Sequence, residues 1–317
     1  MKQSKVLVTG GAGFIGSHLV ERLLKDGHEV SVIDSLKRGN KIPKEVLSNI
    51  RLEVCDVRER KKVFEVSKNC NIIYHLAAVL GVDIVADNPV ETMEVEIEGT
   101  NNIMYAAQEF GIDKIVYAST SGVYGKLNIE KAVVEDAFLS PASSYSIAKR
   151  YNEIYLKSFY QEKQINSVSV RLFNVYGPRQ DNRMVIPRFI EQAISEKDIT
   201  IYGSGNQTRD FTFIDDVIES IILLSDNMKG SKIVNIARGT EVSILKLAEM
   251  VLKISGSKSK ILKIESPSER YDFDVDKRVG DASKLFELTG YKPLTSFEDG
   301  LGLCYQYFAE RMSQKLK

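Results

Sequence analysis

Lys5-Val6-Leu7-Val8-Thr9 reads as a buried strand, and Gly10-Gly11-Ala12-Gly13 breaks it at once. The next stretch, Phe14–Asp26, carries apolar residues at Phe14, Ile15, Leu19, Leu23 and Leu24 on a helical period. A strand that turns straight into a helix resumes as a second, parallel strand, because the helix must pack back across the sheet. Gly11, Gly13 and Gly16 fit G-x-G-x-x-G, and Gly10, Gly13 and Gly16 fit the related G-x-x-G-x-x-G. Positions without Cβ permit the tight turn, let backbone approach a pyrophosphate, and let the helix sit close on the sheet. The helix N-terminus at Phe14 and Ile15 then presents free N–H groups to phosphate.

The pattern repeats downstream. Glu29–Ile33, Ile50–Val54, Asn71–Ala77, Lys114–Ala118 and Ile165–Phe173 read as strands, separated in places by helical stretches at Glu59–Ser67, Val90–Phe110 and Ser144–Gln161. That alternation predicts an α/β fold, a doubly wound parallel sheet of Rossmann type. After Asn174 the texture becomes more irregular, and Ile233–Ile236 is expected to return to the sheet. The expected division is therefore interleaved: 1–173 with about 211–238 binds the dinucleotide, and about 174–210 with 239–317 forms a smaller substrate domain. Ser255–Lys260 reads as a polar turn and Ser313–Lys317 as a frayed tail.

Composition narrows the class. The chain has 317 residues, with 43 Lys+Arg against 43 Asp+Glu, so net charge gives no pull toward nucleic acid or membranes. Cys55, Cys70 and Cys304 lack metal-site spacing, and their odd number argues against a disulfide framework. His18, His28 and His75 complete no zinc site, and no apolar run approaches the roughly 18 residues that span a bilayer. The N-terminus has no secretory h-region. The expectation is a soluble, cytoplasmic, metal-free protein.

Asp34 closes the second strand about 20 residues after the glycine turn, where a carboxylate accepts from both ribose hydroxyls and repels a 2′-phosphate. That favours NAD over NADP, with Lys37 and Arg38 as a mild counter-signal. Asp56-Val57, after the third strand, fits either an adenine contact or a plain turn. Tyr145 and Lys149 stand four apart, on one face of a helix. A cation beside a phenol favours phenolate and tunes it toward general-base work. Thr120, at the mouth of the fifth strand, could bond the same substrate oxygen, at the sheet edge where open α/β folds bind ligands.

With these residues in order, the chain resembles the extended short-chain dehydrogenase/reductases, the NAD-dependent sugar-nucleotide epimerases and dehydratases such as UDP-glucose 4-epimerase-like proteins. The resemblance runs from about Lys5 to Pro293. It is carried by Thr9–Gly16, His75-Leu76-Ala77-Ala78, Ser119–Gly125, Tyr145–Lys149, Arg171–Pro178, Arg209-Asp210-Phe211 and Asp281–Lys284. It implies Thr120, Tyr145 and Lys149 as catalytic triad, with Lys149 also on the nicotinamide ribose and His75–Ala78 lining the cofactor cleft. It implies Asn174 and Arg209 on the substrate diphosphate, with either Arg270 or Arg278 as a later arginine, and Val185, Phe189 and Tyr202 on the nucleotide side.

Departures from the family pattern bear on the reaction. Resembling 4,6-dehydratases use an Asp-Glu pair after the threonine, and resembling uronate decarboxylases a glutamate at position 122; here Ser121 and Gly122 stand instead. Asp83, Val85 and Glu96 stand where relatives often carry arginine, serine and asparagine, which implies an atypical sugar pocket. The leading expectation is C4 epimerisation of a UDP-hexose through a 4-keto sugar. The alternatives are a dehydratase, decarboxylase or reductase of the same family, and an NAD-binding sensor or scaffold without catalysis. Apolar surplus on two helical stretches (Met93, Val95, Ile97, Ile103, Met104; Ile154, Tyr155, Phe159) leads us to expect a homodimer, with no nucleic-acid or membrane partner.

Overall fold

The computed structural model describes residues 3–79, 81–126, 131–265 and 277–315. Its centre is a seven-stranded parallel sheet in the order β10-β6-β5-β4-β1-β2-β3. These strands are β1 (Lys5–Thr9), β2 (Glu29–Asp34), β3 (Arg51–Val54), β4 (Ile72–His75), β5 (Lys114–Thr120), β6 (Asn166–Leu172) and β10 (Ser231–Ile236). Order reverses at β1, with β2 on one side and β4 on the other, which opens a crevice at the strands' carboxyl ends. Register aligns those ends: Thr9 pairs with Ile33 and His75, and Thr120 with Leu172.

Both faces of the sheet are covered, and the period-2 geometry of β1 divides the core. Val6 and Val8 join one apolar cluster with Leu19, Leu23 and Val217, packed by α1 (Phe14–Lys25) and α8 (Ile214–Asp226). Leu7 joins the other with Ile73, Ile103 and Leu156, packed by α3 (Arg60–Ser67), α5 (Pro89–Phe110) and α6 (Ser144–Lys163). Two short helices, α2 (Lys44–Leu47) and α4 (Val82–Asp87), lie between strands. A capping box between Ser143 and Ser146 starts α6, and Gln164 ends it in the left-handed region, so the helix outlasts its expected end at Gln161. The expected strand Asn71–Ala77 stops at His75, and the chain continues from Leu76 as cavity wall.

The second half is more regular than its sequence texture implies. It contains β7 (Asn174–Tyr176), α7 (Val185–Ile194), β8 (Ile199–Tyr202), β9 (Thr208–Phe213), β11 (Glu241–Ser243), α9 (Ile244–Ser255), β12 (Ile261–Ile264), α10 (Ser283–Thr289) and α11 (Phe297–Lys315). β11-β9-β7 form one small sheet and β12-β8 another. β10 returns to the central sheet beside β6, as its sequence position implies. Of the stretch Ser313–Lys317 expected to fray, α11 takes in Ser313–Lys315, and Leu316 and Lys317 lie outside the described residues; Leu301, Cys304 and Phe308 bury the helix's earlier turns.

Beneath the carboxyl ends of β5 and β6 lies a buried ionic cluster. The Arg171 guanidinium donates from Nε and Nη2 to the two Glu153 carboxylate oxygens, both at 2.8 Å. Its Nη1 donates to the Tyr124 hydroxyl and the Glu135 carbonyl, each at 2.9 Å. Ser119 donates to Glu153, and Tyr124 donates to Asn235. The cluster thus couples β5, β6, β10 and α6 through satisfied charge-assisted bonds.

Candidate active site

Three glycines make the first turn possible. Gly10 sits at φ +68°, and a Cβ there would lie 2.7 Å from the Ala77 amide nitrogen. At Gly16 a Cβ would lie 2.2 Å from the Gly10 carbonyl oxygen. Any side chain at either point would push α1 off β1 or β1 off the wall that follows β4. Gly13 caps α1 with no side chain over its first N–H groups.

The turn forms one end of a cavity of about 800 Å³ across the carboxyl ends of the sheet. Gly10, Gly13, Phe14, Ile15, Gly16, Asp34, Asp56, Val57, Leu76, Ala77 and Ala78 line one flank, and Thr120, Tyr145, Lys149, Asn174 and Val185 line the other. Asp34 is fixed at its rim, Oδ2 accepting from Ala12 N at 3.0 Å and Oδ1 from Leu36 N at 2.8 Å. Burial raises its pKa, and those two N–H bonds oppose the rise. A bare helix N-terminus, Cβ-free backbone and a carboxylate at the end of β2 fit a nicotinamide dinucleotide.

His75 does not line the cavity. Its ring is 1 % exposed, wedged between Thr9 Oγ1 at 2.7 Å and Thr100 Oγ1 at 3.1 Å. Thr100 donates to the Glu96 carbonyl, so it accepts from His75 Nε2–H and leaves Nδ1 to accept from Thr9. Burial first, then the Lys149 charge, pushes this imidazole down to about 3, so it stays neutral.

Thr120 and Tyr145 meet at the other end. Thr120 closes β5 and caps the short 3-10 turn Ser121–Tyr124, its hydroxyl accepting from Gly122 N at 3.0 Å. That hydroxyl is also hydrogen-bonded to the Tyr145 phenol. Burial, then the Glu96 charge, holds the phenol well above its ordinary pKa. Lys149 lies on the same face of α6, its ammonium 5.4 Å from the Tyr145 ring centre and 4.7 Å from that of Tyr117. Its charged neighbour is Glu96, whose Oε2 stands 2.9 Å from Lys149 Nζ with both side chains sealed from solvent. Glu96 is absent from the cavity wall and lies behind it, so its departure from the family pattern alters the support of Lys149 rather than a sugar contact.

The substrate-side expectations divide. Asn174 and Val185 face the cavity. Phe189 does not: Ile186, Phe189, Ile190 and Ala193 form the inward stripe of α7, and Phe189 is wholly buried in the core. Tyr202 lies away from the cavity, with the Arg188 guanidinium 5.1 Å over its ring. Arg209 and Arg278 are near enough to oppose each other's charge; burial first, then Arg209, lowers Arg278 to about 10. Arg278 donates to the Gly125 carbonyl at 2.7 Å. Arg270 and the Asp83 side chain lie outside the described residues, while Val85 lines the cavity.

Sequence reasoning passed over several wall residues. Lys41, Asp181 and Arg183 gather with the already named Arg38 beyond Asp34, and the Arg183 guanidinium holds the Asp181 carboxyl down at about 2. The dense charge of Lys37-Arg38 and Asp181-Asn182-Arg183 was the available signal. Among the described residues, no group of His, Cys, Asp or Glu is arranged to hold a metal, and no helix is long and apolar enough to cross a membrane.

Comparison with known proteins agrees with this geometry. The profile of the NAD dependent epimerase/dehydratase family matches residues 6–237. A UDP-N-acetyl-alpha-D-glucosaminuronate decarboxylase of Bacillus cytotoxicus is 35% identical, over 97% of this chain and 98% of its own length. The UDP-glucose 4-epimerase of Thermotoga maritima, crystallised with UDP-glucose, superposes with a TM-score of 0.91 at 30% identity, over 97% of this chain and 99% of that one. The UDP-glucuronic acid 4-epimerase of Bacillus cereus, crystallised with UDP-glucuronic acid and NAD, gives 0.88 at 33% identity, covering 97% and 99%. A strand–glycine–helix turn, Asp34 at the rim and a Tyr–Thr pair across the crevice thus accompany similarity along nearly the full chain, and this protein belongs to the NAD-dependent epimerase/dehydratase family.

Proposed function

We propose that the protein is a nucleotide-sugar epimerase that inverts C4 of a UDP-hexose through a transient 4-keto sugar. One observation carries the choice of reaction. The hydrogen-bonded hydroxyls of Thr120 and Tyr145 meet at the cavity wall, while the carboxylates among the described lining residues are engaged elsewhere. Asp34 accepts from backbone N–H groups, Asp56 from Arg58, Glu91 from Lys37 and Asp181 from Arg183. Position 122 is glycine, where even a Cβ would come within 3.3 Å of Thr120 Oγ1. A site with a base and no adjacent acid can oxidise and reduce, but lacks the proton donor that elimination needs.

In this reading Tyr145 takes the proton of the sugar O4 hydroxyl, Thr120 holds the same oxygen, and Lys149 supports the phenolate. Bound NAD supplies the hydride acceptor at the start and the donor at the end. Asn174 and the Arg209–Arg278 pair grip the diphosphate, and Val185 borders the base. Holding the diphosphate tightly and the hexose loosely lets the keto sugar present its other face. Residues 174–210 and 239–317 would supply this grip, and 1–173 with 211–238 the dinucleotide site. A decarboxylase is the second reading, favoured by the similarity to the Bacillus cytotoxicus protein.

Incubation with UDP-glucose, UDP-galactose and UDP-glucuronate, read by mass spectrometry and NMR, separates the readings. The expected product is an isomer of equal mass, and Tyr145→Phe should slow its formation by at least about 10²-fold with little change in substrate affinity. A product lighter by carbon dioxide or water would overturn the epimerase reading. Accumulating NADH would indicate a dehydrogenase, and no turnover of any sugar a scaffold.

Asp34 should make NAD bind at least about tenfold more tightly than NADP, about 1.4 kcal/mol. Calorimetry giving equal affinities would remove the ribose role from Asp34 and pass selectivity to Arg38 and Lys41.

We also propose a homodimer through α5 and α6. Of the apolar positions expected there, Val95, Ile103 and Met104 are core and Ile154 is exposed; Tyr105, Ile147 and Tyr151, outside that set, are exposed as well. Tyr151 stacks on Tyr155, which meets Phe159 edge-on. A contiguous aromatic face of this kind is an interface signature. Light scattering at micromolar protein should give twice the chain mass, and a monomer mass would reject the interface.

A further inference from the structure

We propose that Glu96 is a positioning residue for Lys149, and that its buried carboxylate sets the pH at which Tyr145 gives up its proton. The inference rests on Tyr145 being the base and goes beyond that reading. Glu96 belongs to α5 and Lys149 to α6, so the contact exists only because these helices pack together. Glu96 Oε2 lies 2.9 Å from Lys149 Nζ, and the side chains are 0% and 1% exposed. The Glu96 backbone is tied on both sides, its carbonyl accepting from Thr100 Oγ1 at 2.7 Å and Asn152 Nδ2 at 3.0 Å. These bonds anchor the Glu96 backbone, and burial leaves its carboxylate no solvent to turn into.

The groups around it are few. From α6 it faces Lys149 and the Tyr145 phenol, from β5 the Tyr117 hydroxyl and from the segment after β4 the Val79 N–H; burial raises its pKa, and Lys149 foremost opposes the rise. His75 of β4, behind it, is held neutral by burial. Glu153 is committed to Arg171, and so adds no free charge. Glu96 and Lys149 are therefore a compensated pair within a sealed layer.

A lone ammonium beside Tyr145 would favour its phenolate. A paired ammonium acts as half of a dipole, and the carboxylate end opposes ionisation of the phenol. Burial strengthens both contributions by reducing solvent screening. Neutralising Glu96 should therefore let Lys149 act on Tyr145 with its whole charge and make the phenol more acidic. A base works only after losing its proton, so activity rises with pH through its pKa. The acid limb of kcat/KM should thus lie higher in the native protein than in a Glu96→Gln variant.

The test uses the full chain loaded with NAD, carrying 13C at tyrosine Cζ, with the Tyr145 resonance assigned by its loss in Tyr145→Phe. No sugar is needed, so the result stands apart from any error in the proposed substrate or reaction. In Glu96→Gln the Tyr145 midpoint should fall by at least about one pH unit. Glu96→Asp, which keeps the charge, should leave the midpoint nearer the native value. If Glu96→Gln does not fold, Glu96→Asn is measured in its place. An unchanged Tyr145 midpoint in a folded neutral variant would overturn the proposal, whatever happens to the melting temperature. Failure of both amides to fold would also overturn it, and would make the pair a structural support alone.

Discussion

Arg171 and Glu153 form the bidentate ion pair on which the active-site end of the sheet is built. Breaking one partner of a buried pair costs about 3–5 kcal/mol, so its members move little relative to one another. The pair joins β6 to α6 directly, and Ser119 brings in β5. Tyr124 and Asn235 extend it to the turn after β5 and to β10. Thr120 follows Ser119, Tyr145 starts α6, and Asn174 follows β6 by two residues. Groups from three separate elements converge on one cavity because the same buried charge cluster holds their bases.

Above that layer the cavity has two chemical ends. Around Asp34 it is dense in charge, with Arg38, Lys41, Asp181 and Arg183 close by. Around Thr120 it is hydroxyl-rich, and Lys149 in the wall is paired with Glu96 behind it. Such a division suits a site that anchors charged diphosphates and leaves a sugar ring room to turn. In the proposed reaction proton transfer falls to one phenol, Tyr145, with Glu96 behind the wall as the proposed control of its acidity.

Local features were legible from the chain alone. β1, the glycine turn and α1 lie within the first 25 residues, and their backbone demands are written in residues without Cβ. Strand alternation and the Tyr145–Lys149 spacing were equally plain, because period and helix geometry are local properties. What escaped was set by contacts distant in sequence. The spacing put Lys149 beside Tyr145, but only the packing of α5 on α6 brings Glu96 to its ammonium. His75 belonged to a motif of the cleft, yet hydrogen bonds to Thr9 and Thr100 place it under the wall. The resemblance implies Phe189 on the nucleotide side, whereas the inward stripe of α7 makes it core.

The central claim is that Tyr145 starts an oxidation at C4 whose reducing equivalent stays in the site until it returns to the same carbon. The most direct measurement follows UDP-glucose carrying deuterium at C4 through turnover in ordinary water, with the product read by NMR. The account predicts a C4-inverted sugar that retains its deuterium at C4, since the hydrogen never passes through solvent. Replacement of that deuterium by solvent hydrogen, or inversion at another carbon, would contradict it.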